Sequence, residues 1–271
     1  MTVKYFPHSL YSVAMISCRN IVLTGANSGI GLEALKILCE NGNTIIAADI
    51  RDDRISSFDP ERVIPYMCDI SRKENIDALF EFALQRFEKI DLFIANAGYN
   101  HFETMGEADW EKIERIFSTN TISPIYSYQR YSEHLSGRDG IFAITVSAMG
   151  KMAMPGFTLY SSTKFALNGF QEAVRLEGPD NIQLTCVYPV STDTAFFNSP
   201  AEIEKPWPVQ TPQHVAAKMI KGIESGKKRV FPCKMFRLSA VLFTIFPFTK
   251  RMYLKREKKK FLRHEERLRK L

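Results

Sequence analysis

A phenol, an ammonium and a hydroxyl occur at a spacing suited to moving a proton to or from an alcohol or carbonyl group. Tyr160 and Lys164 are four residues apart, so they share one face of a predicted helix. Ser147 precedes Tyr160 by thirteen residues and ends a predicted strand. Because a tyrosine and a lysine occur at this spacing by chance in many sequences, the pair gains meaning only from its surroundings.

Proton abstraction by Tyr160 requires a strongly perturbed pKa. An unperturbed tyrosine has a pKa near ~10, which must fall by about three pH units, roughly 4 kcal/mol, for a phenolate to form at neutral pH. A cation about 4 Å away contributes roughly 4 kcal/mol at an effective dielectric constant of about 20. We therefore expect Lys164 to lower the pKa of Tyr160, and Ser147 to orient the reacting oxygen.

A glycine-rich turn joins the first predicted strand to the first predicted helix, and it reads Thr24-Gly25-Ala26-Asn27-Ser28-Gly29-Ile30-Gly31. At such a turn the backbone amides and the helix N-terminus can bind the pyrophosphate of a dinucleotide, and glycines permit its close approach. A tight turn without a ligand is the alternative. The glycine spacing departs from the common Gly-x-Gly-x-x-Gly fingerprint.

A carboxylate ends the second predicted strand. Asp49 follows Gly31 by eighteen residues, and in that position it can accept hydrogen bonds from the adenosine ribose hydroxyls while repelling a 2′-phosphate. No Lys or Arg in the glycine-rich turn offsets that repulsion, although Arg51 lies only two residues beyond Asp49. These residues favour NAD over NADP, and a surface or capping aspartate is the alternative.

Apolar runs rich in β-branched residues alternate with segments of helical spacing, which is the pattern of a parallel sheet with crossover helices. The predicted strands are 21–24, 44–49, 63–67, 92–95, 141–146, 182–188 and 229–231, and the predicted helices lie near 30–41, 72–87, 108–136, 159–177 and 212–225. We predict a doubly wound, Rossmann-type α/β fold with seven parallel strands and ligands at their carboxyl ends. We expect an extension at 1–18, one domain at 19–232 and a helical tail at 233–271.

Composition excludes several classes of protein. The 45% hydrophobic and 24% charged residues are ordinary for a globular domain. The five cysteines are scattered without a Cys-x-x-Cys pair, so we expect no disulfide framework, no metal and a cytoplasmic location. Residues 250–271 carry eleven basic and three acidic side chains, whereas residues 1–249 have a net charge of −2. The folded body is therefore not expected to bind nucleic acid.

The motifs together resemble those of the short-chain dehydrogenase/reductase family over about residues 19–232. The glycine-rich turn has that family's spacing Thr-Gly-x-x-x-Gly-x-Gly, and it is followed in the family's order by Asn96-Ala97-Gly98, Asn120, Ser147 and Tyr160-x-x-x-Lys164. The resemblance implies an NAD(P)-dependent oxidoreductase acting on an alcohol or ketone. It also implies that Tyr160 is the acid/base, and that the catalytic set is Asn120, Ser147, Tyr160 and Lys164.

The resemblance also implies where the cofactor binds. Asp69-Ile70 would lie beside the adenine, although Asp69 could equally cap the helix that begins near Ser71. Val190 stands where the family usually has Gly, so either Thr192 or Thr194 could contact the nicotinamide carboxamide. The expected cofactor-binding residues are Gly25, Asn27, Ser28, Gly29, Ile30, Gly31, Asp49, Asp69, Ile70, Asn96, Ala97, Gly98, Tyr160, Lys164, Pro189 and Thr192.

The C-terminal segment combines thirteen mostly apolar residues, 236–248, with a basic stretch that follows. A helix of that length spans about 20 Å, which is too short for a hydrocarbon core of about 30 Å. We expect either an interfacial membrane anchor, in which each cation near an anionic surface adds up to ~1 kcal/mol, or a segment packed on its own domain or on a subunit partner.

The substrate class is suggested by apolar residues after Ser147 and beyond Thr194, namely Met149, Met152, Met154, Phe157, Phe196, Phe197 and Trp207. They favour a lipophilic alcohol or ketone of steroid, retinoid or long-chain type, with ordinary core and lid packing as the alternative. The competing functions are an NADP-linked carbonyl reductase of the same family and a non-catalytic dinucleotide-binding protein. A homo-oligomer is expected from the resemblance.

Overall fold

The computed structural model describes residues 16–100, 102–194, 196 and 204–268. Residues 1–15 of the expected extension, and Phe197 of the expected apolar set, lie outside the described residues. Ile16 is already buried in the domain, where its amide donates to the Glu224 carboxylate and its carbonyl accepts from the Asn43 side chain. Packing onto the domain therefore begins before the expected boundary at residue 19.

Strands and helices alternate as the apolar pattern predicts. The strands of the described residues are β1 Asn20–Thr24, β2 Thr44–Asp49, β3 Val63–Met67, β4 Leu92–Ala95, β5 Gly140–Thr145, β6 Ile182–Val187, β7 Ser191–Thr192, β8 Val209–Gln210 and β9 Arg229–Val230. The α-helices are α1 Gly29–Glu40, α2 Lys73–Arg86, α3 Trp110–Phe117, α4 Ser123–Leu135, α5 Thr158–Glu177, α6 Pro212–Glu224, α7 Lys234–Ile245 and α8 Pro247–Leu268. The predicted strands all form, with ends shifted by at most one residue.

Seven strands build one parallel sheet in the order β3-β2-β1-β4-β5-β6-β9. The chain runs from β1 outward to β3, then returns to β4 on the other side of β1. Loops leaving the carboxyl ends of β1 and β4 therefore diverge, and a crevice opens between them. The doubly wound, Rossmann-type fold is confirmed. The short ladder between β7 and β8 was not predicted.

Helices cover both faces of the sheet because successive side chains of a strand point to opposite sides. In β1, Ile21 and Leu23 pack with α1 and α6, whereas Val22 packs with α2, α4 and α5. On the second face, the ring of Phe93 stacks between those of Phe80 and Phe142, with centroid distances of 5.3 and 5.2 Å. The central strands are thus buried on both sides, which explains their nearly continuous apolar sequence.

The single helix predicted at 108–136 is interrupted. A turn of π-helix, Ser118–Ile122, separates α3 from α4 and contains Asn120. Pro124 stands in the first turn of α4. Because proline has no N–H, the regular hydrogen bond from residue 124 to the carbonyl of residue 120 cannot form, and the helix adapts by adding a residue to this turn.

The C-terminal tail folds back as two helices, α7 and α8, that pack on the domain through one side each. Phe236 of α7 is buried, and Phe261 and His264 of α8 contact the ring of Phe102. No helix of the described residues is long and apolar enough to cross a membrane. In the same part of the chain, no group of three His, Cys, Asp or Glu side chains could hold a metal ion.

Asn43 connects the start of the domain to the turn between α1 and β2. Its buried side chain donates to the carbonyls of Ile16 and Leu38, at 2.9 and 2.7 Å, and accepts from the Arg19 amide at 3.0 Å. Asn43→Ala leaves three backbone groups without this partner, and each unmade buried hydrogen bond costs about 1–3 kcal/mol. We expect the free energy of unfolding to fall by about 2–4 kcal/mol in urea denaturation.

Asn75→Ala provides the matched control. The half-buried Asn75 side chain makes a single hydrogen bond, from its amide to the Asp69 carbonyl at 2.9 Å. Its removal should cost no more than about 1 kcal/mol. Equal losses in the two variants would contradict the role given to Asn43.

Candidate functional site

An open cleft lies at the carboxyl ends of the strands, across the point where the strand order reverses. Its volume is about 680 Å³, within the range of small-molecule and cofactor sites. It runs from the ends of β2 and β3, through the glycine-rich turn after β1, to the ends of β5 and β6. The predicted ligand position of a doubly wound sheet is therefore an open, continuous cleft.

Ser147, Tyr160 and Lys164 come together at one end of the cleft, and all three line it. Ser147 follows β5, and Tyr160 and Lys164 are one turn apart at the start of α5. The Ser147 hydroxyl hydrogen-bonds the Tyr160 phenol, and its oxygen accepts from the Met149 amide at 3.1 Å. The three groups that the sequence singled out thus share one buried location.

The backbone of Ser147 is strained. Its φ of 129° and ψ of 153° lie in a region that is otherwise almost confined to glycine. Such a conformation costs on the order of 1–3 kcal/mol and persists only where surrounding structure enforces it. Here the Ala148 amide is held by the Pro189 carbonyl at 2.8 Å, which ties the turn after β5 to the chain after β6. This hydrogen bond fixes the turn that carries Ser147.

Lys164 is buried, and its ammonium donates to the Thr145 carbonyl at 3.0 Å. The Thr145 hydroxyl in turn donates to Asn96 Oδ1 at 3.0 Å, and Asn96 Nδ2 donates to the Gly25 carbonyl at 3.1 Å. This chain of hydrogen bonds links the reacting end of the cleft to the glycine-rich turn. Displacement of Asn96 would therefore disturb both ends.

Burial controls the ionisation of Tyr160 and Lys164. It raises the pKa of Tyr160 to about 12, although the hydrogen bond with Ser147 acts in the opposite direction. It lowers the pKa of Lys164 to about 7. The Lys164 nitrogen lies 5.6 Å from the centre of the Tyr160 ring. The expected lowering of the Tyr160 pKa is not found, because desolvation of the phenolate outweighs the neighbouring groups.

Asn120 lies behind the cleft and does not line it. Its Oδ1 accepts from the Tyr99 amide at 3.0 Å, and its Nδ2 donates to the Tyr99 carbonyl at 2.8 Å and to the Thr163 hydroxyl at 3.3 Å. The amide thereby clamps the loop after β4 against α5. Its geometry is that of a brace for the residues beside Tyr160 and Lys164.

The glycine-rich turn divides into lining and supporting residues. Gly25, Ser28, Gly29 and Ile30 line the cleft, whereas Asn27 and Gly31 do not. A Cβ on Gly31 would lie 1.8 Å from the Gly25 carbonyl oxygen, so only glycine fits where α1 passes beneath the turn.

Asn27 supports the neighbouring loop. Its side chain donates to the Asp53 carboxylate at 2.7 Å and accepts from the Arg54 and Ile55 amides. Asn27 therefore positions the loop that follows Asp49, at the end of the cleft far from Tyr160.

Asp49 lines the cleft at that far end, as do Ile50 and Arg51. One carboxylate oxygen accepts from the Asn27 amide at 3.0 Å, and the other accepts a long bond from the Arg51 amide at 3.4 Å. The loop-capping alternative therefore describes part of what Asp49 does. Both roles are compatible, since the carboxylate also borders the open cleft.

The loops after β3 and β4 supply the middle of the cleft wall. Asp69, Ile70, Asn96, Ala97 and Gly98 all line it. Burial raises the pKa of Asp69, but hydrogen bonds from Ser71 outweigh this and hold the pKa below its usual value. The bond from the Ser71 amide measures 3.0 Å, so Asp69 caps the turn before α2 as well as bordering the cleft.

The chain after β6 closes the cleft near Ser147. Pro189, Val190, Thr192 and Thr194 line it. The Thr192 hydroxyl donates to the Val190 carbonyl at 3.0 Å. Val190 is not among the described non-glycine residues with positive φ, so replacing glycine there imposes no backbone strain.

Apolar side chains form the wall beside Tyr160. Of the predicted set, Met149, Met152, Met154, Phe196 and Trp207 line the cleft, and the Phe196 ring meets the Tyr160 ring edge-on at 5.4 Å. Phe157 does not line it and packs against Phe102 instead, at a centroid distance of 4.8 Å. For Phe157 the core-packing alternative was therefore correct.

Several residues that line the cleft carry no sequence motif, and three of them lie on helices outside the predicted site. Phe236 of α7 and Tyr253 of α8 come from the tail, and Arg115 of α3 approaches Tyr99 and Asp69. No local motif marks any of them. For Phe236 and Tyr253 the contact arises because the tail folds back over the cleft, which agrees with the expected alternative of a segment packed on its own domain.

The fold and the cleft together define a Rossmann-type oxidoreductase that uses a dinucleotide. A profile of the short chain dehydrogenase family matches residues 19–204, and the chain belongs to this family. Its members are NAD- or NADP-dependent dehydrogenases and reductases.

Curated relatives and solved structures agree with this assignment. The chain is 26% identical to 3-ketodihydrosphingosine reductase of Mus musculus, over 76% of this chain and 69% of the relative. It is 25% identical to 17-beta-hydroxysteroid dehydrogenase 13 of Rattus norvegicus, over 90% of this chain and 84% of the relative. A short chain dehydrogenase from Burkholderia cenocepacia, solved in complex with NADP, shares the fold with a TM-score of 0.76 and 24% identity, over 89% of this chain and 99% of that one.

The buried Lys164 ammonium should destabilise the fold at neutral pH. Its pKa falls from 10.5 to about 7 on burial, so the folded chain binds fewer protons than the unfolded chain between these values and stability rises with pH there. The penalty is fully present at and below pH 7, where it is at most about 5 kcal/mol. Lys164→Met removes it together with the Thr145 hydrogen bond, and we expect a net gain of about 1–3 kcal/mol near pH 7.

Urea denaturation at several pH values measures this gain, which should shrink as the pH approaches 10.5. Lys151→Met is the control, because Lys151 lies near the surface and pairs with Glu172 at 3.3 Å. A Lys164→Met protein that is less stable than the wild type at pH 7 would contradict the burial argument.

Proposed function

We propose that this protein transfers a hydride between NAD(H) and a lipophilic alcohol or ketone, with Tyr160 as the acid/base. The observation that carries the proposal is the meeting of Ser147, Tyr160 and Lys164 at one end of a cleft whose other end is built by the glycine-rich turn and Asp49. A single dinucleotide bound along the cleft would reach both ends. The cradle of the turn, in which Gly25 and Gly29 have positive φ, is suited to its pyrophosphate.

In the oxidation direction Tyr160 takes the proton of the substrate hydroxyl, and the carbinol carbon loses a hydride, so that the alcohol becomes a ketone. Bound NAD supplies the hydride acceptor and a positively charged nicotinamide. Ser147 donates a hydrogen bond to the substrate oxygen and holds it beside the phenol. In the reduction direction the neutral phenol of Tyr160 returns the proton to the developing alkoxide.

The proton balance at Tyr160 depends on added positive charge. Burial raises its pKa to about 12, and burial also lowers the pKa of Lys164 to about 7. Lys164 near its titration point contributes only part of a charge at neutral pH, so phenolate formation requires the cofactor's charge in addition. In this proposal Lys164 also holds the cofactor ribose, and Asn120 acts as a positioning residue through Tyr99 and Thr163.

The cofactor contacts follow from the lining of the cleft. We propose that Gly25, Ser28, Gly29 and Ile30 hold the pyrophosphate. Asp49, Asp69 and Ile70 are proposed to contact the adenosine. The riboses are proposed to contact Asn96, Ala97 and Gly98, and the nicotinamide is proposed to contact Pro189 and Thr192. Asn27 and Gly31 are proposed to act through the shape of the turn.

The substrate class is supported by the wall around Tyr160. Met149, Met152 and Met154 are flexible apolar side chains that accommodate bulky hydrophobic ligands. Phe196 and Trp207 add aromatic surface on the same side. Two relatives with about a quarter of the aligned residues identical are named as a 3-ketodihydrosphingosine reductase and a 17-beta-hydroxysteroid dehydrogenase. We therefore propose a steroid, retinoid or long-chain substrate.

We further propose a cytoplasmic protein that forms a homo-oligomer, with peripheral membrane contact through its C-terminal segment. The five cysteines are all free thiols in the structure, which suits a reducing compartment. The net charge of residues 250–271 is +8, which would favour an anionic surface.

Tyr160→Phe should abolish turnover while leaving cofactor binding intact. The phenol is the only group removed, and general acid–base catalysis contributes about 10²–10⁴-fold or more to the rate. We expect NADH formation from a secondary alcohol to fall by at least that factor, with the NADH dissociation constant changed by less than about threefold in a fluorescence titration. Tyr126→Phe, which removes a phenol hydrogen-bonded to Asp77 far from the cleft, is the control. Retained turnover would refute the assignment.

Asp49→Asn tests cofactor choice. The amide oxygen can still accept from the Asn27 amide, so the loop is preserved while the charge is lost. Because a 2′-phosphate is repelled by the carboxylate, we expect NADPH affinity relative to NADH to rise by on the order of tenfold. Parallel fluorescence titrations measure the ratio. A wild-type protein that binds NADPH more tightly than NADH would support the carbonyl reductase alternative, aided by Arg51, and binding of neither would contradict the enzyme proposal.

A further inference from the structure

The outer side of α7 is apolar and exposed. Leu238, Val241, Leu242 and Ile245 are all exposed, and their spacing places them on one side of the helix. Leu238 is 70% and Ile245 is 62% exposed. The opposite side, with Phe236, is packed on the domain. A surface helix normally turns polar side chains outward. An outward side that is apolar as well is typical of a surface that binds a second partner, such as a protein or a membrane.

Exposed apolar side chains continue into the first turns of α8, where the rings of Phe246 and Phe248 are in contact, and basic side chains follow them. Phe248 and Met252 are exposed and lie four residues apart. Lys255 follows Met252 by three residues and Lys259 follows Lys255 by four, so all four side chains lie on one side of the helix. The inner side of α8 carries Tyr253, which packs toward the apolar wall of the cleft. We call Leu238, Val241, Leu242, Ile245, Phe248 and Met252 the outer apolar face.

The cations beside this face are not neutralised by the domain. Residues 234–268 carry eleven basic and three acidic side chains. Lys260 pairs with Glu204 and Glu257 on the inner side. By contrast, among the described residues no carboxylate lies within ion-pair distance of Lys255 or Lys259. An apolar strip bordered by unpaired lysines is the arrangement of helices that lie in a membrane interface.

The cleft opens next to this surface. Phe236 of α7 and Tyr253 of α8 line the cleft on the inner side of the same two helices. The Tyr253 hydroxyl donates to the carbonyl of Trp207 at 3.2 Å, and Trp207, which is itself exposed, also lines the cleft. The two helices therefore separate the outer apolar face from the substrate end of the cleft by a single layer.

We propose that α7 and α8 dock on an anionic lipid surface, and that a lipid-dissolved substrate enters the cleft from that surface past Trp207 and Tyr253. The outer apolar face lies among the lipid headgroups, and Lys255 and Lys259 contact lipid phosphates. The entry route rests on the lipophilic substrate proposed above, whereas docking does not. A second copy of the chain is a poorer occupant, because a two-fold contact between these faces would bring two strongly basic helices together.

Cosedimentation of the full chain with vesicles tests the docking. We expect binding to phosphatidylcholine vesicles that contain phosphatidylserine, and much weaker binding to pure phosphatidylcholine. Lys255→Gln/Lys259→Gln should lower the partition coefficient by on the order of tenfold. Leu238→Ser/Ile245→Ser should lower it by a similar factor or more.

Matched controls remove the same groups elsewhere. Lys221→Gln/Lys227→Gln removes two exposed lysines, one in the last turn of α6 and one before the amino end of β9, whereas α7 follows the carboxyl end of β9. Leu176→Ser removes a leucine that is 89% exposed on α5. Neither should change vesicle binding. Docking is overturned if the controls weaken vesicle binding as much as the α7 and α8 variants do. It is also overturned if the wild type does not bind vesicles and Leu238→Ser/Ile245→Ser dissociates a dimer.

Turnover separates the entry route from the proposed function. We expect the α7 and α8 variants to oxidise a vesicle-borne long-chain secondary alcohol about tenfold more slowly than the wild type, while a short water-soluble secondary alcohol is oxidised at the wild-type rate. Equal rates on the vesicle-borne alcohol would overturn entry from the lipid and leave the proposed function standing. If the wild type oxidises neither alcohol, the proposed function fails, whereas cosedimentation still decides the docking.

Discussion

The Lys164 ammonium is buried at the carboxyl end of β5 and hydrogen-bonded to the Thr145 carbonyl. Removing a cation from water is costly, and its position is held by polar groups that are themselves fixed. Thr145 is bound through its hydroxyl to Asn96, and Asn96 is bound to the Gly25 carbonyl. The reacting end and the glycine-rich turn therefore form one connected structure, and the sheet order that brings β1, β4 and β5 side by side is what makes the connection possible.

Other buried features reinforce the same corner of the molecule. The π-helical turn at Ser118–Ile122 contains Asn120. The Asn120 side-chain amide hydrogen-bonds both the Tyr99 backbone and the Thr163 hydroxyl. Ser147 is held in a strained conformation by the chain after β6. Each of these conformations costs free energy, and it persists because the packing of the surrounding sheet and helices offsets that cost.

The C-terminal helices add what the family core lacks. The family match ends at residue 204, yet Phe236 and Tyr253 complete the apolar wall beside Tyr160. The residues of the family motifs and this part of the apolar wall thus come from different parts of the chain. The family motifs therefore carry no information on the side chains that the C-terminal helices add to the cleft.

The sequence by itself determined the order of strands and helices and the identity of the three polar groups that meet in the cleft, because both are written in local patterns. Apolar runs that alternate with segments of helical spacing predicted the parallel sheet. The four-residue spacing of Tyr160 and Lys164 places both side chains on one side of a helix within a single turn. Tertiary structure decided the ionisation of these groups, since burial depends on every element packed around them: the expected fall in the Tyr160 pKa became a rise. It also decided that Phe157 belongs to the core and that α7 and α8 border the cleft, because contacts between segments distant in sequence leave no local pattern that spacing alone could reveal.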